Sequence, residues 1–254
     1  MTLADLPVRR DVPAVSAAQM AEADRITIED VRLPVEVLME SASRQIAAGA
    51  RAYLGSVAGK RIAAFVGTGN NGGDAVGALR HLANWGAVVH ALVVGTRERL
   101  RETTNLQIAR LLVTTDESRS GRVTNVGSRW SNFEKYVEAD LLIDGLLGYN
   151  ARGAPRDEVA VAIGAAARTS CPILAVDIPS GIDPDTGEAH GVAIGATLTV
   201  TLALPKRGLL AQQARPFVGE LLVADIGIPH MAFERIGIKT RGLFDEGDLI
   251  RVAL

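Results

Sequence analysis

The chain has 254 residues, 48% of them hydrophobic, enough to bury one large core, and open parallel sheets of this size commonly form one domain. Its 27 basic and 29 acidic residues leave a formal charge of -2 with no block of one sign, which argues against a nucleic-acid footprint or a polybasic membrane patch and points to a small-molecule partner. No stretch approaches the roughly 18 apolar residues of a membrane span and no signal-peptide core is visible, so the chain is expected to be cytoplasmic, while the single Cys171 excludes an internal disulfide and a thiolate metal cluster.

From about Ser16 to Tyr53 the apolar residues Met20, Ala23, Ile26, Val35, Leu38, Met39, Ile46 and Ala50 recur at helical spacing, interrupted by Pro34. Two helices are expected before the first strand. Ser16 with Gln19 fits a capping box, and the Leu38, Met39 and Ile46 stripe reads as core packing. From Arg61 onward, apolar runs at 62–66, 88–94, 140–144, 172–178, 197–204 and 220–225 alternate with helical stretches at about 72–85, 100–113 and 156–168. Continuous apolar strands separated by helices predict an α/β fold: a Rossmann-like three-layer α/β/α sandwich with a mostly parallel central sheet and N-terminal helices. The last two runs follow each other closely, which predicts an antiparallel edge there. The N-terminal dozen residues and the polar stretch from Asp116 to Ser131 read as mobile loops.

The most informative segment is Gly67-Thr-Gly69-Asn70-Asn71-Gly72-Gly73-Asp74, a glycine-rich turn between a strand and a helix. Turns of this kind bind anions, because free amides point outward at the helix start and glycine lets a ligand approach the backbone. The spacing is neither G-x-G-x-x-G nor a P-loop, and the adjacent asparagines and Asp74 predict ligand or cation contacts beyond phosphate. Three further turns fall at strand ends, where an open α/β sheet binds its ligands: Asp144-Gly-Leu-Leu-Gly148-Tyr-Asn-Ala-Arg152, Asp177-Ile-Pro-Ser180-Gly181, and Pro205-Lys206-Arg-Gly208.

Asp144 or Asp177 taken alone is equally an ordinary turn acceptor. Together with the Asn71 amide and the Ser180 hydroxyl they predict an oxygen-lined cation site or a shifted pKa, because neighbouring carboxylates repel unless a cation or proton lies between them. Lys206 and Arg152 are candidates to meet ligand phosphates, against the bland reading of solvated turn residues. His81 is expected on a helix, His90 in a strand, and His190 and His230 in loops, none of them catalytic. Ser180 lacks the G-x-S-x-G elbow and an activating histidine, which argues against acyl-transfer hydrolysis.

These motifs, in this order from Ser16-Ala-Ala-Gln-Met20 and Leu38-Met39-Glu40 to Asp225-Ile-Gly-Ile-Pro229, resemble the YjeF N-terminal domain family, whose enzymatic members are NAD(P)H-hydrate epimerases. The resemblance implies one domain over residues 1–254, with its core at about 16–230, and an isomerase that interconverts the R and S forms of hydrated NADH or NADPH (NAD(P)HX). It implies that Asn70, Asn71, Gly72, Gly73 and Asp74, the loop Gly148, Tyr149, Asn150, Ala151, Arg152, Gly153 and Ala154, and Asp177 contact the hydrated dinucleotide. It also implies that Asn71, Asp144 and Ser180 bind a potassium ion. Asp177 is the expected general acid/base, with Lys206 as a weaker assistant. A homodimer and a separate ATP- or ADP-dependent NAD(P)HX dehydratase are the implied partners.

The chain departs from the family pattern at Ser41 and Ser43, where the family commonly has an asparagine and a glycine, at Ala75, where it often has a glycine, and at Gly148-Tyr-Asn-Ala151, where it often reads Gly-Thr-Gly-Leu. The alternatives are a non-catalytic nucleotide-binding or scaffold protein of the same fold, and a nucleotide-dependent transferase, for which no Walker lysine is present.

Overall fold

The computed structural model of the chain describes residues 2–115, 120–125 and 139–253. Helix α1 (Ala17–Arg25) starts at the expected capping box: Ser16 Oγ accepts from the Gln19 amide at 3.1 Å, and Gln19 Oε1 accepts from the Ser16 amide at 3.0 Å. A π-helical turn at Ile26–Asp30 and Pro34 separate it from α2 (Val35–Leu54). The glycine turn then leads from strand β2 (Arg61–Val66) into α3 (Asn70–Asn84). Strand β1 (Val8–Arg9) precedes all of these. The chain continues through β3 (Val88–Val93), α4 (Glu102–Thr114), β4 (Gly121–Asn125), β5 (Leu141–Gly145), α5 (Asp157–Ala166) and β6 (Ile173–Val176). It ends with β7 (Leu198–Leu202), α6 (Arg215–Val218), β8 (Glu220–Ala224), α7 (His230–Arg235) and β9 (Leu249–Val252).

The strands form one nine-stranded sheet in the order β1-β9-β8-β7-β6-β5-β2-β3-β4. The chain runs outward from β2 in one direction through β3 and β4, and in the other through β5, β6 and β7. The crevice at the carboxyl ends of β2 and β5 is therefore the topological switch point, where such sheets bind ligands. Alternation along the strands divides the core. Ile62, Ala64 and Val66 join the large cluster that includes residues of α1 to α4, whereas Ala63 and Phe65 join a smaller one with Ala162, Ile163 and Ala166 of α5. Both faces of the sheet are thus apolar, which explains why its strands read as continuous hydrophobic runs.

Four expectations are corrected. Strands β7 and β8 pair in parallel, with Leu198 opposite Glu220, because the 3-10 turns at Arg207–Leu210 and Gln212–Ala214 and helix α6 carry the chain back across the sheet. The one antiparallel pair among the described strands is β8 with β9. The N-terminal dozen is tied down: β1 pairs with β9, and the Arg251 amide donates to the Pro7 carbonyl at 2.8 Å. Of the stretch 116–131, residues 121–125 form edge strand β4 beside β3, and the others lie outside the described residues except Ser120. Finally, His230 is the first residue of α7 instead of a loop residue.

Candidate functional site

The glycine turn closes tightly on its neighbours. A side chain at Gly67 would place its Cβ 2.0 Å from the Leu146 carbonyl oxygen, and one at Gly72 would lie 2.1 Å from the Gly67 oxygen. Gly72 and Gly73 are buried, Gly73 against Met39, so they are packing positions that let α3 start beside β5 and α2. Asn70, Asn71 and Asp74 instead line a cavity of about 350 Å3 at the carboxyl ends of the strands. Gly148, Tyr149, Asn150, Ala151, Asp177 and Lys206 line it too, together with Met20, Asp24, Leu38, Met39 and Arg101. The Leu38 and Met39 stripe is consequently cavity wall as well as core.

Asp177 and Lys206 form a buried ion pair, 3% and 1% exposed. Lys206 Nζ also donates to the Leu202 carbonyl at 3.0 Å and to Thr201 Oγ1 at 3.4 Å, and the Leu202 amide donates to Asp177 Oδ1 at 3.2 Å. All these contacts of Asp177 end on Oδ1, which leaves Oδ2 without a protein partner among the described residues. The pair is brought together by two matching turns. Asp177 just after β6 and Ala203 just after β7 both have positive φ, 67° and 64°, and in each turn the next amide reaches back two residues, Ile178 to Val176 and Leu204 to Leu202, both at 2.8–2.9 Å. Such turns are strained for non-glycine residues and persist where the surroundings enforce them.

Around this pair stand two more carboxyls. Burial, reinforced by the charges of Asp177 and Asp24, pushes Asp74 well above the usual carboxylate range. Burial also raises Asp24, against the opposing hydrogen bond from Tyr149. The Tyr149 hydroxyl donates to Asp24 Oδ2 at 2.5 Å, joining the loop after β5 to α1 across the cavity, and burial with the neighbouring Asp24 charge raises the phenol. Lys206 Nζ lies 5.5 Å from the Tyr149 ring centre. One wall therefore offers the Asp177–Lys206 ion pair, and the others offer carboxyls whose pKa is raised by burial. Such divergent environments equip a site for acid and base work.

Asp144 is set apart from this group. It is fully buried at the end of β5, and its carboxyl accepts from the Ser180 hydroxyl at 2.7 Å, the Ser180 amide at 2.8 Å and the Leu146 amide at 3.2 Å. Burial raises its pKa to about 6, opposed by the bonds from Ser180 and Leu146. The carboxylates that repel one another are thus Asp24, Asp74 and Asp177, and Asp144 is not among them. Asn71 Nδ2 donates to the Leu147 and Val176 carbonyls at 2.9 and 3.2 Å, and its Oδ1 has no hydrogen-bond partner among the described residues. A buried carboxyl without a cationic side chain, a hydroxyl and an unpartnered amide oxygen fit a hard cation such as potassium. No group of three or more His, Cys, Asp or Glu side chains among the described residues could hold a metal ion.

Arg152 does not enter the cavity. Its guanidinium donates to the Tyr149 and Ala151 carbonyls at 2.8 and 2.9 Å and braces its own loop, with Gly153 and Ala154 exposed beside it. His81 is drawn to Glu40 at 3.0 Å on the outer side of α2 and α3, and Cys171 is half-buried with its thiol toward the Ala139 carbonyl at 3.1 Å. Asp24 and Arg101 are cavity residues that no motif singled out. Asp24 lies one helical turn beyond Met20 on α1, which is the signal that marks it.

Residues 35–208 match the family described as YjeF-related protein N-terminus. Over 223 residues the chain is 38% identical to the bifunctional NAD(P)H-hydrate repair enzyme Nnr of Moorella thermoacetica, covering 85% of this chain and 40% of that protein. It is 35% identical to the NAD(P)H-hydrate epimerase of Dehalogenimonas lykanthroporepellens, with 95% of this chain and 93% of that one covered. It is 36% identical to that of Nitrosopumilus maritimus, with 72% and 81% covered. The chain thus spans about two-fifths of the bifunctional relative. The crystal structure of yeast ynu0 superposes with a TM-score of 0.78 at 20% identity, covering 94% of this chain and all of that one, a likeness of fold. No helix among the described residues is long and apolar enough to cross a membrane.

Replacing Lys206 by Met leaves a buried carboxylate without its cation and is expected to cost about 3–5 kcal/mol in chemical denaturation. Adding Asp177→Asn should recover most of that loss. A Lys206→Met cost below about 1 kcal/mol would show that the pair is not desolvated.

Proposed function

The chain belongs to the family of YjeF-related protein N-termini, and we propose that it is an NAD(P)H-hydrate epimerase, an isomerase interconverting the R and S forms of NAD(P)HX in nicotinamide cofactor repair. The observation that carries this reading is Asp177 at the cavity wall, with one oxygen bound to Lys206 and the other without a protein partner. C6 of the hydrate bears both a hydroxyl and the ring nitrogen. Its configuration is lost when the C6–N1 bond opens or when hydroxide departs, and either route moves a proton. On ring opening, Asp177 takes the hydroxyl proton as the C6–N1 bond breaks and passes it to N1. Turning the aldehyde and reversing these steps closes the ring on the other face, with no net change in composition. Lys206 fixes the carboxylate, and the apolar wall of Met20, Leu38 and Met39 excludes water.

Asn71, Asp144 and Ser180 would hold a potassium ion, which would supply fixed positive charge beneath the loop that starts at Gly148. We take the whole chain as one domain that works in the cytoplasm as a homodimer and hands the S epimer to a separate ATP- or ADP-dependent dehydratase. The Asn70–Asp74 turn and the loop 148–154 would hold the dinucleotide, the latter through Gly148 to Ala151, with Arg152 to Ala154 bracing it.

A mixture of the R and S epimers of NADHX or NADPHX supplied with an S-specific dehydratase and ATP tests the reaction directly. Full recovery of the reduced cofactor should depend on this protein and be lost with Asp177→Asn. Recovery of the S fraction alone, no faster than in buffer, would instead favour a binding or scaffold role. In a thermal melt, potassium chloride should raise the midpoint by about 2–4 °C over tetramethylammonium chloride at equal ionic strength, the effect of about 1 kcal/mol of ion binding in a protein of this size. Equal midpoints would contradict the ion site.

A further inference from the structure

Strands β4-β3-β2-β5-β6-β7 repeat the 3-2-1-4-5-6 order of dinucleotide-binding sheets, with β2 as the first strand. In that arrangement the segment following the strand beside the first one meets the adenosine ribose. An acid there binds the free 2′-hydroxyl, and an arginine accommodates a 2′-phosphate. In this chain the segment after β3 reads Gly95-Thr96-Arg97-Glu98-Arg99-Leu100-Arg101, three arginines against one acid. Glu98 is fully exposed and engaged by its own loop: its own backbone amide and the Thr96 side chain hold its carboxyl below the ordinary range.

Arg101 is differently placed. It lines the cavity, and its guanidinium has no hydrogen bond or ion pair with any described residue. Its position is fixed by backbone and side-chain bonds between the start of α4 and the glycine turn. The Arg101 amide donates to the Thr68 carbonyl at 2.9 Å, Thr103 Oγ1 to Asn70 Oδ1 at 3.0 Å, and Thr104 Oγ1 to the Gly69 carbonyl at 2.9 Å. An unpaired guanidinium is thereby anchored at the β2 and β3 end of the cavity, while Asp177 and Lys206 occupy the β6 and β7 end.

We infer that Arg101, with Arg97 and Arg99 beside it, is the subsite for a 2′-phosphate, so that the protein prefers NADPHX to NADHX. The choice of hydrate rests on the epimerase reading; the phosphate subsite does not. A guanidinium meeting a phosphate dianion gains charge-assisted, fork-shaped hydrogen bonds that a ribose hydroxyl cannot match.

The test uses the full chain and two probes, adenosine 2′,5′-bisphosphate and adenosine 5′-monophosphate, by titration calorimetry. The bisphosphate should bind about tenfold more tightly, the worth of one charge-assisted contact. Arg101→Ala should bring the two affinities within about twofold of each other, and Arg101→Lys should restore part of the gap. With the hydrates, kcat/KM should favour NADPHX, and Arg101→Ala should erase that ratio. Equal affinity for the two probes would overturn the inference. So would an Arg101→Ala variant that weakens both probes alike, which would assign the arginine to the phosphate they share. Equal kcat/KM for the two hydrates would overturn the preference. A bisphosphate preference in a protein that epimerises neither hydrate would sink the proposed reaction and uphold the subsite.

Discussion

The buried pairing of Asp177 with Lys206 is the constraint on which the site depends. Two charges are taken out of water at the ends of neighbouring strands, at a cost of several kcal/mol per ion that only close geometry and extra hydrogen bonds can offset. Those bonds come from Thr201 and Leu202, and they require β7 to run parallel beside β6 and to end in the same left-handed turn. The lysine loop is held in turn by the N-terminal segment: the Val15 amide donates to the Pro205 carbonyl at 3.0 Å, and the Arg207 amide donates to the Val15 carbonyl at 2.9 Å. That pairing sets where α1 begins, and hence where Met20 and Asp24 meet the cavity. The cavity is thus closed by a helix whose position follows from the ion pair.

Its electrostatics follow from crowding. Asp24, Asp74 and Asp177 face one another, and burial together with their mutual repulsion raises the pKa of Asp74 and of Asp24. On the epimerase reading, this is the end that would exchange protons with a bound ring. Arg101, whose guanidinium is unpaired among the described residues, stands at the β2 and β3 end. This polarity matches a ligand with a reactive neutral ring at one end and phosphates at the other.

Much of this was legible in the sequence because the informative residues are local. Gly67 to Asp74 specify a strand-turn-helix unit through backbone sterics alone, and the doubly covered strands announce themselves by continuous apolar runs. What was hidden depends on long-range pairing. Strands β1, β4 and β9 are short edge or near-edge strands with little alternation, so periodicity cannot find them. The direction of β8 leaves no trace in the sequence because a compact crossover of 3-10 turns resembles a loop returning along the same edge. Asp144 and Asp177 lie at the ends of paired strands, yet they serve different neighbours, since Asp144 is opposite Ala175 while Asp177 lies beyond the last paired residue, Val176. The Tyr149 contact with Asp24 joins residues 125 positions apart and leaves no local trace. It gives a physical role to a residue that departs from the family pattern.

The central claim is that the hydrated ring lies against the unpartnered oxygen of Asp177. A crystal structure of the Asp177→Asn variant with NADPHX bound measures this most directly. The account predicts the C6 hydroxyl within hydrogen-bond distance of the residue 177 side chain, with the adenosine end toward the glycine turn. A hydrate whose ring sits away from residue 177, or runs in the opposite direction, would contradict it.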